Sequence, residues 1–214
     1  MVILKMFLST GFIMWLILLC LFGALYISLV KILTLKKVKM NIPFFSIKIR
    51  GILKKKNVSD AINFCTSERT PITNIIRRGL KKKKFGRTRI IEELESAARH
   101  EISKLEKWLT SLAAIASIAP VLGFLGTVIG IISSVNLIQE SQGVVKFQDV
   151  APGIWQASST TIFGLIVGLS ATLLYNFFVV RIRKLARDME RVASDILDVL
   201  DESVNETNDD EVEV

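Results

Sequence analysis

Residues 119–134 read APVLGFLGTVIGIISS, the centre of a run from Trp108 to Gln139 that contains no Asp, Glu, Lys or Arg. As an α-helix, such a run exceeds the roughly 20 residues needed to cross a bilayer, so it reads as a transmembrane helix. What it places on one face says more than its length. Ala113, Ala116, Pro120, Gly123, Thr127, Gly130 and Ser134 recur at alternating spacings of three and four. A helix that only faces lipid has no use for this seam of small and hydroxyl side chains, because acyl chains suit Leu, Ile and Val. Small residues at this period let a second backbone approach closely, or leave room for water and hydroxyls along a path. Pro120, Gly123, Gly126 and Gly130 are its candidate packing positions.

Outward from this helix the chain repeats the pattern. Half of its residues are hydrophobic and 22% are charged, with the apolar residues clustered. Two more runs lack charge and are long enough to span, Met6–Val30 and Val150–Val180. Each must be a helix, since an isolated segment in lipid has to satisfy its own backbone hydrogen bonds. The expected fold is therefore an all-α integral membrane protein with three transmembrane helices. The first run has too long an apolar core for a signal peptide and no small-x-small cleavage site after it, so it reads as retained. The expected division is 1–33 first transmembrane helix, 34–107 basic helical segment, 108–139 second transmembrane helix and 140–149 short loop. A third transmembrane helix over 150–180, a helical extension over 181–200 and an acidic disordered segment over 201–214 complete it.

The net charge of +8 is unevenly spread: residues 34–108 hold 20 Lys and Arg, while only Lys5 precedes the first run and only Lys146 lies between the second and third. Basic residues stay on the cytoplasmic side. The amino terminus and the 140–149 loop are thus expected outside, and the 34–107 segment and the region beyond Arg181 inside. Cys20 and Cys65 fall in different phases, membrane and cytoplasm, and are expected as free thiols.

The first span is apolar all round, with sparse small residues (Gly23, Ala24, Ser28) and Lys31 placed to reach the inner interface; it reads as a lipid-facing helix. In the basic segment a helix is expected after a cap at Asn57 or Ser59, and another from Pro71 to near Gly86. The Lys81–Lys84 cluster is explained by topology and anionic headgroups, and nothing supports nucleic-acid binding. From Thr88 the periodicity places Ile91, Leu94, Ala98, Ile102 and Leu105 on one helix face, with no Gly or Pro before the second span, so a continuous helix is expected. His100 sits there as a solvated residue with no second ligand nearby; no metal site is expected.

The third span begins with Pro152, expected in the first turn, where it is tolerated. Gln156, Thr160, Gly164, Gly168, Thr172 and Asn176 follow at spacings of four, with Ser159 and Thr161 beside them. From spacing alone this face serves helix packing, through Gly164 and Gly168 with Pro152, or a polar pathway, and one face can do both. Beyond it, Ile182, Leu185, Met189, Val192, Ile196 and Val199 form an apolar stripe suited to a neighbouring helix or subunit.

No reaction centre or cofactor motif is present, so the chain reads as a non-enzyme. The spans offer hydroxyls and an amide but no group that titrates near neutral pH. Thr127, Thr160, Thr161 and Gln156 can orient water yet cannot hold a proton reversibly. If the chain conducts protons, the carboxylate must come from a partner.

The combination APVLGFLGTVIGII with VAPGIWQASSTTIFGLIVGLSATLLYNFFVVRI, preceded by TPITNIIRRGL and ELESAARHEISKLEKWLTSLAAIASIAPVLGFLGT, resembles the MotA/TolQ/ExbB proton-channel family, and the ExbB/TolQ branch most. The resemblance covers roughly residues 14–200. It implies a bacterial inner-membrane bundle of five such subunits around two copies of a single-span ExbD- or TolR-like protein. That protein carries an intramembrane Asp and drives a TonB- or TolA-like partner. It also implies that Thr127 and Thr161 face the pore. Gln156 stands where the family usually carries Glu. A non-conducting scaffold and a flagellar-stator subunit remain the competing readings.

Overall fold

The computed structural model describes residues 11–38, 42–54, 57–68, 70–140 and 146–212. Its helices are α1 (Gly11–Lys37), α2 (Ile42–Lys54), α3 (Val58–Ser67), α4 (Pro71–Lys81), α5 (Arg87–Glu106), α6 (Leu109–Glu140) and α7 (Phe147–Val212), with a short 3-10 turn at Lys83–Phe85. Among the described residues there is no strand. Three of the helical stretches are long and apolar enough to cross a membrane. The protein is an all-α integral membrane protein. Residues 1–10 and 141–145, which include the start of the first uncharged run and half of the 140–149 loop, lie outside the described residues.

The chain forms two compact units, one from 1–32 with 108–179 and one from 33–107 with 180–214. In the first unit α6 and α7 run antiparallel and meet along small residues. A Cβ added to Gly164 would lie 2.7 Å from both Ala119 O and Gly123 Cα, and one added to Gly130 would lie 2.9 Å from Ala157 Cβ. At one end of the seam the Pro120 ring covers Gly168; at the other, Gly153 lies against Gly130 O and Ser134. No bulkier side chain fits these crossings, which is why small residues recur once per turn on both helices. α1 adds large residues: Ile13 and Ile17 pack on Ala119 and Val167, with Leu122 and Phe163 around them.

Four expectations for this unit change. α1 is lipid-facing only on the side of Phe12, Leu19 and Phe22; its other face is packed. Lys31 shares that packed face with Ala24, Ile27 and Ser28, one and two turns away, and is buried instead of reaching the interface. The helix of the third span starts at Phe147, so Pro152 is not in the first turn and is exposed. Gly153, not Pro152, makes the contact there. Thr172 and Asn176 are exposed too, because strict spacings of four drift around a helix of 3.6 residues per turn.

In the second unit α4 opens with a reciprocal cap: Thr70 Oγ1 accepts from Thr73 N (3.4 Å), Thr73 Oγ1 accepts from Thr70 N (3.0 Å), and Pro71 follows where its missing N–H costs nothing. Asn57 caps α3 by accepting from Asp60 N at 3.3 Å. α4 and α5 then form a hairpin. Ile72, Ile75, Ile76 and Leu80 are buried on α4, and Ile90, Leu94, Ala97, Glu101 and Leu105 on α5. The buried face of α5 is therefore turned by about one residue from the expected one, and Glu101 on it bonds Lys104 Nζ at 3.0 Å. α5 also stops short of the second span: Trp108 adopts a left-handed φ of 71°, which ends the helix without Gly or Pro.

Of the expected α7 stripe, Ile182, Met189, Val192, Ile196 and Val199 are buried and Leu185 is half-buried. Beside it lies α2, a helix the sequence reading did not anticipate, whose Arg50 pairs with Asp195 at 2.8 Å and whose Ser46 donates to Asp195 at 3.3 Å. The backbone of 201–212 continues α7 where disorder was expected, since no Gly or Pro interrupts it.

Candidate proton pathway

The two threonines singled out by the sequence are brought together. Thr127 on α6 and Thr161 on α7 hydrogen-bond through their hydroxyls. Around them are two carbonyls. Thr161 Oγ1 lies 3.1 Å from Ala157 O, one turn back on its own helix, and 3.2 Å from Gly123 O on the facing helix. Thr127 Oγ1 lies 3.4 Å from Gly123 O, one turn back on its own helix, and 3.4 Å from Ala157 O on the facing one.

Each threonine thus shares the same two acceptors, one from each helix. The arrangement depends on Gly123, where a Cβ would come 3.2 Å from Thr161 Cα and 3.0 Å from Thr160 O. With two hydroxyl protons and these acceptors, one threonine donates to the other while the second donates to a carbonyl. The shorter carbonyl distances make Thr161 the better donor to the backbone.

The other two pathway candidates are placed elsewhere. Thr160 is fully buried against Gly126 and turns its hydroxyl to its own helix, 3.0 Å from Gln156 O and 3.1 Å from Ala157 O. It is a packing residue of the seam. Gln156 is half-buried beside α1, where a Cβ on Gly11 would come 3.3 Å from its Nε2. Neither joins the Thr127–Thr161 pair. The carbonyls of Gly123 and Ala157 were not anticipated as part of the site, although each lies four residues before its threonine, the usual reach of a helical hydroxyl. His100 is exposed, and among the described residues no group of three or more His, Cys, Asp or Glu could hold a metal.

Residues 67–191 match the MotA/TolQ/ExbB proton channel family, more than half of the chain. The chain belongs to that family. Among its relatives is the biopolymer transport protein ExbB of Aquifex aeolicus, 38% identical over 102 residues that cover 48% of this chain and 68% of the relative. A putative biopolymer transport protein ExbB homolog of Methanothermobacter thermautotrophicus is 29% identical over 181 residues, 84% of this chain and 64% of the relative. The Tol-Pal system protein TolQ of Haemophilus influenzae is 34% identical over 92 residues, 43% of this chain and 40% of the relative. The match to the family takes in α4 to α6 and most of α7, and so both threonines. Membership in a proton-channel family fits a hydroxyl pair set between two helices long and apolar enough to cross a membrane.

Proposed function

We propose that this chain is the pore-forming subunit of a proton-driven motor in the inner membrane, acting without enzymatic chemistry of its own. Several copies, five by family resemblance, surround a single-span ExbD- or TolR-like partner whose intramembrane Asp carries the proton. The resulting motion passes to a TonB- or TolA-like protein. In this reading the amino terminus and the 140–149 loop are periplasmic, and the second unit is cytoplasmic. The observation that carries the reading is the Thr127–Thr161 hydroxyl pair, in a chain whose three uncharged runs contain no carboxylate of their own. Such a pair can orient water and bond a partner's carboxylate but cannot store the proton, which leaves that step to the partner.

The test is proton flux in vesicles holding this chain together with the single-span partner. Thr161→Val keeps the shape and removes the hydroxyl; flux is expected to fall about tenfold, the factor that one ~1.4 kcal/mol hydrogen bond represents. Unchanged flux in Thr127→Val and Thr161→Val, with assembly intact, would sink the assignment. A second reading, a non-conducting scaffold, draws on Gln156 in place of the family's Glu and on its position away from the pair. It predicts no flux in the wild type and none in Gln156→Glu.

A further inference from the structure

The turn joining α4 to α5 carries a charge that the proton pathway does not use. Residues 81–89 read KKKKFGRTR. Lys81, Lys82, Lys84, Arg87 and Arg89 are exposed there, and Gly86, at φ +89°, fixes the turn. Lys82 Nζ sits 5.3 Å from the centre of the Phe85 ring, which is itself 66% exposed. Arg89 pairs with Glu92 at 2.8 Å, but Lys81, Lys83 and Lys84 make no ion pair with a described residue. The result is a concentrated positive tip with an aromatic at its centre.

The complementary charge is in the chain itself. Residues 201–214 hold seven Asp and Glu and no Lys or Arg. The two stretches also lie at matching distances in sequence from the uncharged runs: Arg87 is 21 residues before Trp108, and Asp201 is 21 residues after Val180.

We infer that the basic turn at 81–87 is a docking site for the acidic 201–214 segment of a second copy of this chain, tying neighbouring subunits together outside the membrane. The inference rests on the oligomer proposed above. α7 stays helical through Val212, so the chain makes no turn there that would fold the acidic stretch back along α7 itself. Attraction between such clusters weakens with salt, because the screening length falls to ~3 Å at 1 M.

The experiment cross-links the full-length protein in membranes. In a Cys20→Ala, Cys65→Ala background, Lys84→Cys and Glu206→Cys together, treated with copper phenanthroline as the oxidant, are expected to give a disulfide-linked dimer on a non-reducing gel. Neither cysteine alone should do so, and the yield should drop several-fold in 1 M salt. Replacing Lys81 and Lys82 by Glu should abolish the dimer, and adding Asp209→Lys and Asp210→Lys should restore it. Carbodiimide coupling of the unsubstituted protein is the second measurement, with a link between the 81–89 and 201–214 peptides expected in the dimer band.

A link confined to the monomer band would overturn the inference in favour of docking within one chain. Protection of Lys81–Lys84 from acetylation only when anionic lipid is present, with no link, would assign the turn to the membrane surface and overturn it as well. Absence of the link while native mass spectrometry still finds several copies defeats this inference alone. A single copy per particle would defeat the proposed function with it.

Discussion

Two antiparallel helix pairs, α6–α7 and α4–α5, both close on glycine and do so for opposite reasons. In α6–α7, glycine meets backbone: Gly123 and Gly164 let the main chains touch, and the large side chains Phe124, Ile131, Leu165 and Leu169 are left exposed. In α4–α5, glycine meets a side chain: a Cβ on Gly79 would lie 2.7 Å from Leu94 Cγ, and the large apolar residues are turned inward. The difference follows from the solvent. Lipid accepts Phe and Leu as readily as a protein interior does, so helices associate there by close contact and hydrogen bonding. Water rejects them, so the hairpin is held by burial, and the glycine at its helix contact, Gly79, only makes room for Leu94.

The contrast can be broken most sharply in the hairpin. Ile76→Ala should cost about 2–5 kcal/mol, as deletion of a fully buried aliphatic side chain does, whereas Phe124→Ala on the exposed face of α6 should cost less than about 1. Thermal unfolding of the detergent-solubilised protein measures both. Gly164→Ala comes next. Its Cβ would press on Ala119 O and Gly123 Cα at 2.7 Å, neither of which can swing away, so about 1–3 kcal/mol should be lost in the same assay. Thr127→Val should cost only about 0.5–1.5 kcal/mol, because Thr161 keeps both carbonyl acceptors.

The smallest effect near neutral pH belongs to Cys65. Burial pushes its thiol from 9.0 up to about 12, against a smaller pull from Arg77. The unfolded chain therefore loses this proton first as pH rises, and stability should fall between about pH 9 and 12. Cys65→Ala should flatten that decline in a pH series of melting temperatures.

Much of this organisation was legible in the sequence because it is written as spacing. The seam residues of α6 and the α7 stripe sit at helical intervals and Pro71 marks a helix start, whereas Thr161 was paired with Thr127, 34 residues earlier, only through the family resemblance; spacing alone put Thr160 on the third-span face. What was missed lacks punctuation of its own kind. Trp108 ends a helix with a left-handed φ that a bulky residue rarely adopts, so no local residue type announces it. α2 did carry a signal, Phe45, Ile49 and Leu53 at spacings of four, but it was obscured by the surrounding lysines. The separation of Thr160 from Thr161 is a question of about 100° around one helix, which only the facing glycines decide.

The shared acceptors at Thr127 and Thr161 have one more consequence. The pair can order its two protons in two ways, with Thr161 or Thr127 as the one bonded to the backbone, and both orders make the same number of hydrogen bonds. The distances differ, 3.1 and 3.2 Å for Thr161 against 3.4 Å for Thr127, so one order is the resting one and the other lies close above it. In the proposed role of orienting water beside a partner's carboxylate, this lets the pair present either hydroxyl: turning from one order to the other takes two hydroxyl rotations, and each order already has its carbonyl acceptors in place.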